Sequence, residues 1–340
     1  MLSGVIRPVI AVALAAALAG CFNSADPIVE VTGLTMGSSY SVKWVASDDA
    51  PDQASLHAQL NGLFAEFETE VSTWRDDSVL SRFNQLPSGG CISAPDSLRH
   101  MLETADRLHE LSGGSFDLTV GPLLRLWGFH GGDGSQVVPD ESERAAALQR
   151  VGQQHLRHEG EQLCKDADVS VDVSAIAAGY MVDRIAEHLL RHGITSYMVE
   201  VTGELKAAGR KPDGSAWRIA IEEPRDHSRI AHLIINLDGY GVSTSGDYRN
   251  YFEYQGKRYS HTFDPVSGQP VMHQLASVTV LDRSTEMADG LSTVLLVKGP
   301  EAGWAFAIEQ GIAALFVLRE GEGFVSRFTP AFEALKRGEE

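Results

Sequence analysis

The amino-acid sequence predicts an α+β fold: one globular domain in which packed helices cover a mixed, largely antiparallel sheet. Apolar residues recur at helical intervals in several long segments. Segments rich in β-branched and aromatic residues lie between them, and a hairpin-type turn connects two of these. Because strands and helices do not alternate regularly, the pattern favours α+β over a doubly wound parallel sheet.

The predicted helices repeat leucine, phenylalanine or alanine every three or four residues, which places the apolar side chains on one face. Gly113 and Gly193 follow two of these segments, and glycine is common just after a helix. Gly299 and Pro300 separate the last two. We therefore predict helices over 51–71, 95–111, 174–192, 286–298 and 301–310.

The predicted strands are short and rich in valine, isoleucine and aromatic residues. Two of them flank Gln255 and Gly256, which predicts a hairpin turn. The strands are predicted over 40–46, 169–173, 197–201, 217–221, 232–237, 251–254, 258–261, 277–281 and 313–318.

The N-terminus has the pattern of an export signal. Arg7 precedes an uncharged apolar run of eleven residues, 9–19, whereas a helix needs roughly twenty residues to cross a bilayer. Residues 18–21, Leu-Ala-Gly-Cys, resemble a lipobox, in which the cysteine is lipidated before cleavage. We expect a signal peptide at 1–20, a lipid on Cys21 and a tether over 21–29. An ordinary signal peptide with a chance cysteine is the alternative.

Charge and cysteine content restrict the partners of the protein. A net charge of −18 argues against nucleic acid, because phosphate binding needs clustered lysine and arginine. An anionic ligand would also need a cation beside it in so acidic a chain. Cys91 and Cys164 could form a disulfide in an oxidising compartment. The sequence does not show whether their Cα atoms come close enough.

Residues 113–122 follow a predicted helix and contain two glycines, then Ser115, Phe116 and Asp117. Glycines let backbone N–H groups approach a ligand closely, and aromatic side chains here could face a flat heterocycle. The alternative is a helix C-cap, a turn and aromatic residues of the core.

Residues 172–180 place Asp172 at the end of a predicted strand, with a helix directly after it. A helix N-terminus can face a phosphate, and Asp172 could then accept a hydrogen bond from a ligand. The alternative is that Asp172 or Ser174 only caps the helix.

Two further groups of polar residues could carry chemistry. His261 lies in the polar segment 259–265, and the free pKa of histidine suits proton transfer near neutral pH. A lone histidine is nevertheless more often structural.

Asp289 and Thr293 share one helix face at i and i+4, about 5–6 Å apart at Cβ. A carboxylate beside a hydroxyl suits Mg²⁺, and a threonine bonded to its own backbone is the alternative.

Together and in this order, these segments resemble the ApbE family, the FAD:protein FMN transferases. The resemblance also includes 36–40 and 72–84 and covers 30–330, which leaves 331–340 as a C-terminal tail. It implies an ApbE-like fold and an enzyme that binds FAD and Mg²⁺. Such an enzyme transfers the FMN part to a Ser or Thr hydroxyl of an acceptor protein and releases AMP.

The resemblance also implies roles for individual residues. Mg²⁺ would lie between the backbone carbonyl of Ala175 and the side chains of Asp289 and Thr293. His261 would take the acceptor proton, and Asp289 would be the second catalytic residue. FAD would contact the side chains or backbone of Met36, Trp74, Ser115, Phe116, Asp117, Asp172, Ala178 and Phe263.

Two departures from the family pattern affect the expected FAD affinity more than the reaction type. Many members carry lysine or another charged residue where this chain has Ala178, and Gly-Gly-Glu is replaced by 202–204, Thr-Gly-Glu. A FAD pyrophosphatase, with water as the acceptor, and a non-catalytic flavin-binding lipoprotein remain as alternatives.

The resemblance implies acceptors among the periplasmic domains of membrane redox complexes. The export signal and the lipobox predict a lipid anchor on the periplasmic side of a bacterial membrane. We expect the inner membrane rather than the outer, although Phe22 after Cys21 gives no evident signal for inner-membrane retention.

Overall fold

One long antiparallel sheet organises the chain, and most of the long helices pack on one of its faces. The predicted signal peptide 1–20, Cys21 and residues 22–26 of the predicted tether lie outside the described residues. Within the part of the chain that is described, no helix is long and apolar enough to cross a membrane. The computed structural model describes residues 27–47, 50–129, 138–226 and 230–338.

Strands and helices alternate irregularly along the chain. The strands are β1 (Ile28–Thr35), β2 (Ser38–Val45), β3 (Cys91–Ser93), β4 (Leu156–Glu159), β5 (Gln162–Lys165), β6 (Tyr197–Val201), β7 (Glu204–Ala208), β8 (Trp217–Glu222), β9 (Ala231–Leu237), β10 (Tyr240–Gly246), β11 (Tyr251–Tyr254), β12 (Lys257–Ser260), β13 (Phe263–Asp264), β14 (Gln269–Pro270), β15 (Leu275–Asp282), β16 (Ala313–Glu320) and β17 (Gly323–Phe328). The helices are α1 (Gln53–Val71), α2 (Val79–Gln85), α3 (Asp96–Ser112), α4 (Gly121–Leu126), α5 (Glu141–Leu148), α6 (Ala177–Arg191), α7 (Thr285–Glu309) and α8 (Pro330–Arg337).

The main sheet has the strand order β1-β2-β6-β7-β10-β15-β16-β17, and each neighbouring pair is antiparallel. Smaller sheets are formed by β3-β5-β4 and by the pairs β8-β9, β11-β12 and β13-β14. The α+β class with a largely antiparallel sheet, predicted from the sequence, is confirmed.

Helices α1, α3, α6 and α7 enclose the largest core against one face of the main sheet. Alternate side chains of β2, among them Val42 and Trp44, point into this core, as the pleat of a strand requires. Leu98 of α3 and Leu295 of α7 are inaccessible to solvent. Burial of one such side chain contributes about 1.5–3 kcal/mol to folding, so this core fixes α7 firmly against the sheet.

A second core covers the opposite face, where β8, β9 and α8 pack. Trp217 of β8 and Leu237 of β9 are each 2% exposed, and Phe332 of α8 is fully buried. The side chain of Thr329 accepts a hydrogen bond from the N–H of Phe332 at 3.3 Å and caps α8. The predicted C-terminal tail, 331–340, therefore includes most of a helix that belongs to the packed fold.

The predicted helices agree with the structure to within a few residues. Asp52 caps α1 by accepting a hydrogen bond from the N–H of Ser55 at 3.0 Å. Gly113, with φ of 64°, ends α3 in the left-handed conformation. The predicted break at Gly299 occurs as a kink inside α7, where φ is 78°.

Most predicted strands are confirmed, including the hairpin of β11 and β12 around Gln255-Gly256, but the strand predicted at 169–173 is wrong. The side-chain amide of Asn84 donates to the carbonyl of Val171 and accepts from its N–H, both at 2.8 Å. The N–H of Asp172 donates to the carbonyl of Leu118 at 2.7 Å. The segment is thus held by a side chain and a loop instead of a neighbouring strand.

Cys91 and Cys164, whose pairing the sequence left open, form a disulfide. They lie opposite each other in β3 and β5, with their Cα atoms 4.1 Å apart. The bond links positions 73 residues apart in the chain and closes a loop that contains α3 and the polar segment after it.

Candidate active site

A cavity of about 800 Å³ lies where the ends of β10 and β8 meet the first turns of α7 and the loop before α6. Most residues that the family resemblance singled out lie in its wall. They are Trp74, Ser115, Phe116, Asp117, Ala175, His261, Phe263, Asp289 and Thr293. Met36, Asp172 and Ala178 are not among the described wall residues.

Met36 lines a neighbouring groove at the turn between β1 and β2. Its backbone has φ of 49°, and its N–H donates to the carboxylate of Glu68 at 3.2 Å. The groove shares Ser38 and Ser39 with the cavity. Met36 is therefore next to the cavity but opens onto a separate depression.

Asp172 and Ala178 have structural surroundings. The carboxylate of Asp172 accepts a hydrogen bond from the N–H of Ser174 at 2.9 Å, which fixes the turn over 174–176 before α6 begins. The sequence had left open that Asp172 or Ser174 only caps the helix, but the structure shows neither as its cap, because α6 begins after Ile176 and no side chain caps it. Ala178 is buried in the first turn of α6. Their proposed FAD contacts stay predictions.

Asp289 lies on α7 at the buried end of the cavity and is 6% exposed. Its carboxylate accepts hydrogen bonds from the N–H of Gly179 at 3.1 Å and from the hydroxyl of Ser243 at 3.2 Å. One turn later, the hydroxyl of Thr293 lies 3.2 Å from that of Ser245 on β10. The predicted pair therefore does face one site, and β10 surrounds it with hydroxyl groups.

A second carboxylate raises the electrostatic cost of this site. Glu204 follows the β6–β7 turn and lines the same cavity. Burial raises the pKa of Glu204 to about 7. Burial, with the nearby charge of Glu204, raises the pKa of Asp289 well above its ordinary value. Two carboxylates in one low-dielectric site favour a bound cation, which would stabilise their charged forms.

No role for Glu204 is predicted from the sequence, although this residue ends the altered Thr-Gly-Glu segment. Thr202 has φ of 54°, and its hydroxyl donates to the carboxylate of Glu204 at 3.0 Å. Thr202 thus helps to hold the carboxylate of Glu204 in place. An acidic residue directly after a two-residue strand turn was the signal that could have identified it.

The wall is strongly acidic, which matters for any anionic ligand. Of the described wall residues, Arg249 is the only arginine or lysine. Its guanidinium forms an ion pair with Glu222 and lies over the ring of Tyr248, 5.6 Å from the centroid. The carboxylates of the wall are those of Asp117, Glu200, Glu204, Glu222 and Asp289.

These oxygen donors fit a hard cation such as Mg²⁺ and do not fit Zn²⁺, which prefers thiolate and imidazole ligands. Among the described residues, no cluster of three or more His, Cys, Asp or Glu side chains is arranged to hold a metal. Mg²⁺ takes oxygen ligands, uses few carboxylates and keeps water or phosphate oxygens in its shell. The carboxylate of Asp289, the hydroxyl of Thr293 and the backbone at Ala175 offer that chemistry on one wall.

His261 is held in a defined tautomer. The ring nitrogen Nδ1 of His261 lies 3.0 Å from the backbone carbonyl oxygen of Asn250. The backbone N–H of His261 donates to the same carbonyl at 3.1 Å. A carbonyl only accepts, so Nδ1 carries the proton and Nε2 carries the lone pair. Burial lowers the pKa of His261, which keeps the ring neutral and able to accept a proton near neutral pH.

Aromatic side chains form the wall beside His261. The rings of Phe129 and Phe263 lie 5.8 Å apart, and the ring of Phe129 lies 6.4 Å from that of His261. Both phenylalanines line the cavity. Trp127 is buried behind them against Tyr259 and Phe263, so it supports the wall without facing the cavity.

The segment 113–117 is fixed by internal hydrogen bonds. The carboxylate of Asp117 accepts from the N–H of Thr119 at 2.7 Å and from the N–H of Gln153 at 2.9 Å. Gly113 and Gly114 both have positive φ and end α3, as the helix-cap alternative expected. The same turn also places Ser115 and Phe116 in the cavity wall. The helix-cap alternative is therefore confirmed, and contact of this segment with a ligand stays a prediction.

The fold and site together define a class of protein: an enzyme whose cavity combines a cation-compatible carboxylate site with a neutral histidine. Residues 36–316 match the model of the ApbE family. The chain therefore belongs to the ApbE family.

Relatives and solved structures agree over nearly the full length. An FAD:protein FMN transferase of Vibrio cholerae is 41% identical over 93% of this chain and 95% of its own. One of Klebsiella pneumoniae is 37% identical over 95% of each chain. The apo form of the Pseudomonas stutzeri flavinyl transferase ApbE is 52% identical, covers 92% of this chain and 97% of its own, and superposes with a TM-score of 0.86.

Proposed function

We propose that this protein transfers the FMN part of FAD to a Ser or Thr hydroxyl of an acceptor protein, and that Mg²⁺ is required. One observation carries the proposal: a single cavity is lined both by the Asp289–Thr293 pair and by the neutral His261. Relatives 34–41% identical to this chain over nearly its full length are named FAD:protein FMN transferase.

The reaction balances without an oxidant or a covalent enzyme intermediate. The acceptor oxygen forms a bond to the FMN phosphorus, and the bond from that phosphorus to the bridging oxygen breaks. AMP leaves with the bridging oxygen and the electron pair. The proton of the acceptor hydroxyl goes to Nε2 of His261, the ring nitrogen that carries the lone pair.

The protein's own residues divide this work. Asp289, Thr293 and the backbone carbonyl of Ala175 would hold Mg²⁺. When bound, the ion neutralises charge on the diphosphate and on the leaving AMP. Phe129 and Phe263 offer apolar surface for the flavin ring, while His261 is kept neutral by burial. Positioning and electrostatics account for most of the catalysis in phosphoryl transfer.

The test mixes the chain starting at Phe22 with FAD, Mg²⁺ and a threonine-containing acceptor domain. We expect mass spectrometry to show acceptor heavier by one FMN. Asp289→Ala and His261→Gln should each reduce transfer by at least about a hundredfold. His232→Gln is the matched control, because the ring of His232 forms a hydrogen bond with the hydroxyl of Ser326 and does not line the cavity. Acceptor that stays unmodified at every Mg²⁺ concentration would refute the proposal.

The same assay separates the two alternatives. FMN and AMP released without acceptor would indicate a FAD pyrophosphatase. Bound FAD with no product, unchanged in Asp289→Ala, would indicate a flavin carrier.

We also propose that a lipid on Cys21 holds the protein on the periplasmic side of the inner membrane. The sequence of residues 1–21 motivates this, and the Cys91–Cys164 disulfide supports an oxidising compartment. Acceptors would then be periplasmic domains of membrane redox complexes.

A further inference from the structure

Strand β8 presents an edge to the cavity. Among the described strands it pairs with β9 alone. Ile219, Ala220, Ile221 and Glu222 follow one another along β8, and all four line the cavity. Successive side chains of a strand point to opposite faces, so a cavity that touches four in a row lies along the edge of the strand.

Burial along β8 agrees with this placement. Ile219 and Ile221 are each 5% exposed and belong to the second core, whereas Ala220 points outwards and is exposed. The inward face is therefore largely filled by the protein, and the cavity reaches it only at the margin of the second core, where Ile219 and Ile221 line the wall. An edge strand carries backbone N–H and C=O groups that can pair with another extended segment.

The end of β8 is linked to the proposed base by direct contacts. Glu222, the last residue of β8, forms an ion pair with Arg249. The backbone carbonyl of Asn250, the residue after Arg249, accepts hydrogen bonds from Nδ1 and from the backbone N–H of His261. A segment paired along β8 would thus run towards His261.

We propose that the acceptor protein docks by strand addition: an extended segment that carries the target Ser or Thr pairs with the edge of β8. This rests on the proposed FMN transfer, in which the substrate is a protein whose hydroxyl must enter the cavity. Backbone pairing supplies affinity, and alternate side chains of the docked strand supply selectivity. The five wall carboxylates disfavour an acidic segment.

The first test uses a short peptide around the threonine that the wild-type enzyme modifies. Each backbone nitrogen is methylated in turn, which removes one N–H donor at a time. Because alternate residues of a paired strand face the neighbouring strand, kcat/KM should fall about tenfold at every second position near the threonine and much less between. Equal rates for all methylated peptides would contradict strand addition, and so would a loss without alternation.

The second test replaces Ala220 by proline, which obstructs pairing along β8. Val325→Pro is the matched control: Val325 is exposed on β17, the terminal strand of the main sheet, away from the cavity. We expect Ala220→Pro to raise KM for the acceptor about tenfold with FAD affinity within about twofold of wild type. If FAD affinity falls with acceptor affinity, the edge holds FAD and the proposal is overturned.

The peptide series needs no variant, so it decides the matter even if Ala220→Pro does not fold. Wild-type enzyme that leaves every acceptor unmodified contradicts the transfer reaction itself, whereas modification of all methylated peptides alike contradicts the docking mode alone.

Discussion

At the residue scale, two carboxylates lie close together in the cavity wall: Asp289 is buried and Glu204 is half-buried. Asp289 and Glu204 each lose solvation in the same cavity wall, and the charge of Glu204 raises the pKa of Asp289. Without a cation, ionisation of either group is costly. Such a site stores unfavourable electrostatic energy that a bound divalent ion would relieve, which links metal binding to proton release.

The pH dependence of stability follows from Glu204. Its pKa rises from 4.5 to about 7 on folding, so the folded state binds more protons between these values. The free energy of unfolding should therefore fall as pH rises from about 4.5 to 7, by at most about 3 kcal/mol. Glu204→Gln should flatten this fall, which urea denaturation at pH 5 and pH 8 measures.

The control for that prediction is Glu320→Gln, at the exposed end of β16. Parallel pH profiles for wild type and Glu204→Gln would show that the glutamate does not titrate as the structure implies.

Thr202 explains how the chain tolerates its departure from the usual glycine. A β-branched residue at φ of 54° is strained. The hydroxyl compensates by donating to Glu204, and the Thr202 N–H donates to the carbonyl of Ser39 at 3.0 Å. Threonine at position 202 therefore strains the backbone, but its hydroxyl holds the carboxylate of Glu204 by a hydrogen bond that glycine could not make.

At the scale of elements, the contact between α6 and α7 sets the position of Asp289. Gly179 lies where the two helices approach most closely: a Cβ there would lie 2.5 Å from the carbonyl oxygen of Thr285 and 2.7 Å from Cα of Glu286. Both are backbone atoms, which cannot rotate away. The Gly179 N–H also donates to Asp289, so the close approach serves the site directly.

Gly179→Ala should therefore lower the free energy of unfolding by about 1–3 kcal/mol and reduce FMN transfer. Gly62→Ala is the control, because Gly62 is exposed within α1 and an added Cβ meets no atom within 4 Å. That variant should gain about 0.5–1 kcal/mol. Denaturant unfolding of both variants checks the pair, and a Gly179→Ala protein as stable as wild type would exclude the proposed contact.

How far the sequence predicts an element depends on where its partners lie. The hairpin over β11 and β12 was predictable because its turn, Gln255-Gly256, lies between its strands. The segment 169–173 has strand-like composition but binds the side chain of Asn84, 87 residues away. No local pattern contains that contact.

The residues of the site also differ in how far the sequence predicts them. His261, Asp289 and Thr293 were predictable because the motifs around them resemble a known family, and the structure brings them to one cavity. The role of Glu204 depends on a turn that carries β7 alongside α7, a long-range packing arrangement that the sequence does not state. The same is true of the β8 edge.

At the scale of the whole molecule, the disulfide and the main sheet connect the cavity walls. Cys91–Cys164 closes a loop that contains α3 and the wall residues Ser115 and Phe116. Such a crosslink stabilises a domain by about 2–4 kcal/mol, chiefly through the unfolded chain. The described fold begins at β1, a few residues after Cys21, so a lipid there would keep the whole domain close to the membrane.

The proposed lipid anchor should determine where the protein is located without affecting its FMN transfer activity, and a Cys21→Ala variant tests this. Cys21→Ala should move the protein from the membrane fraction to the soluble periplasmic fraction, because lipidation requires the thiol. In solution, the purified variant should transfer FMN at the wild-type rate, since no described wall residue of the cavity comes before Ser38. Transfer to a membrane-bound acceptor in cells should fall, because tethering raises the local concentration of the enzyme. Wild-type protein that lacks a lipid mass on its N-terminal peptide, or that fractionates with soluble proteins, would refute the anchor and leave the transfer reaction untouched.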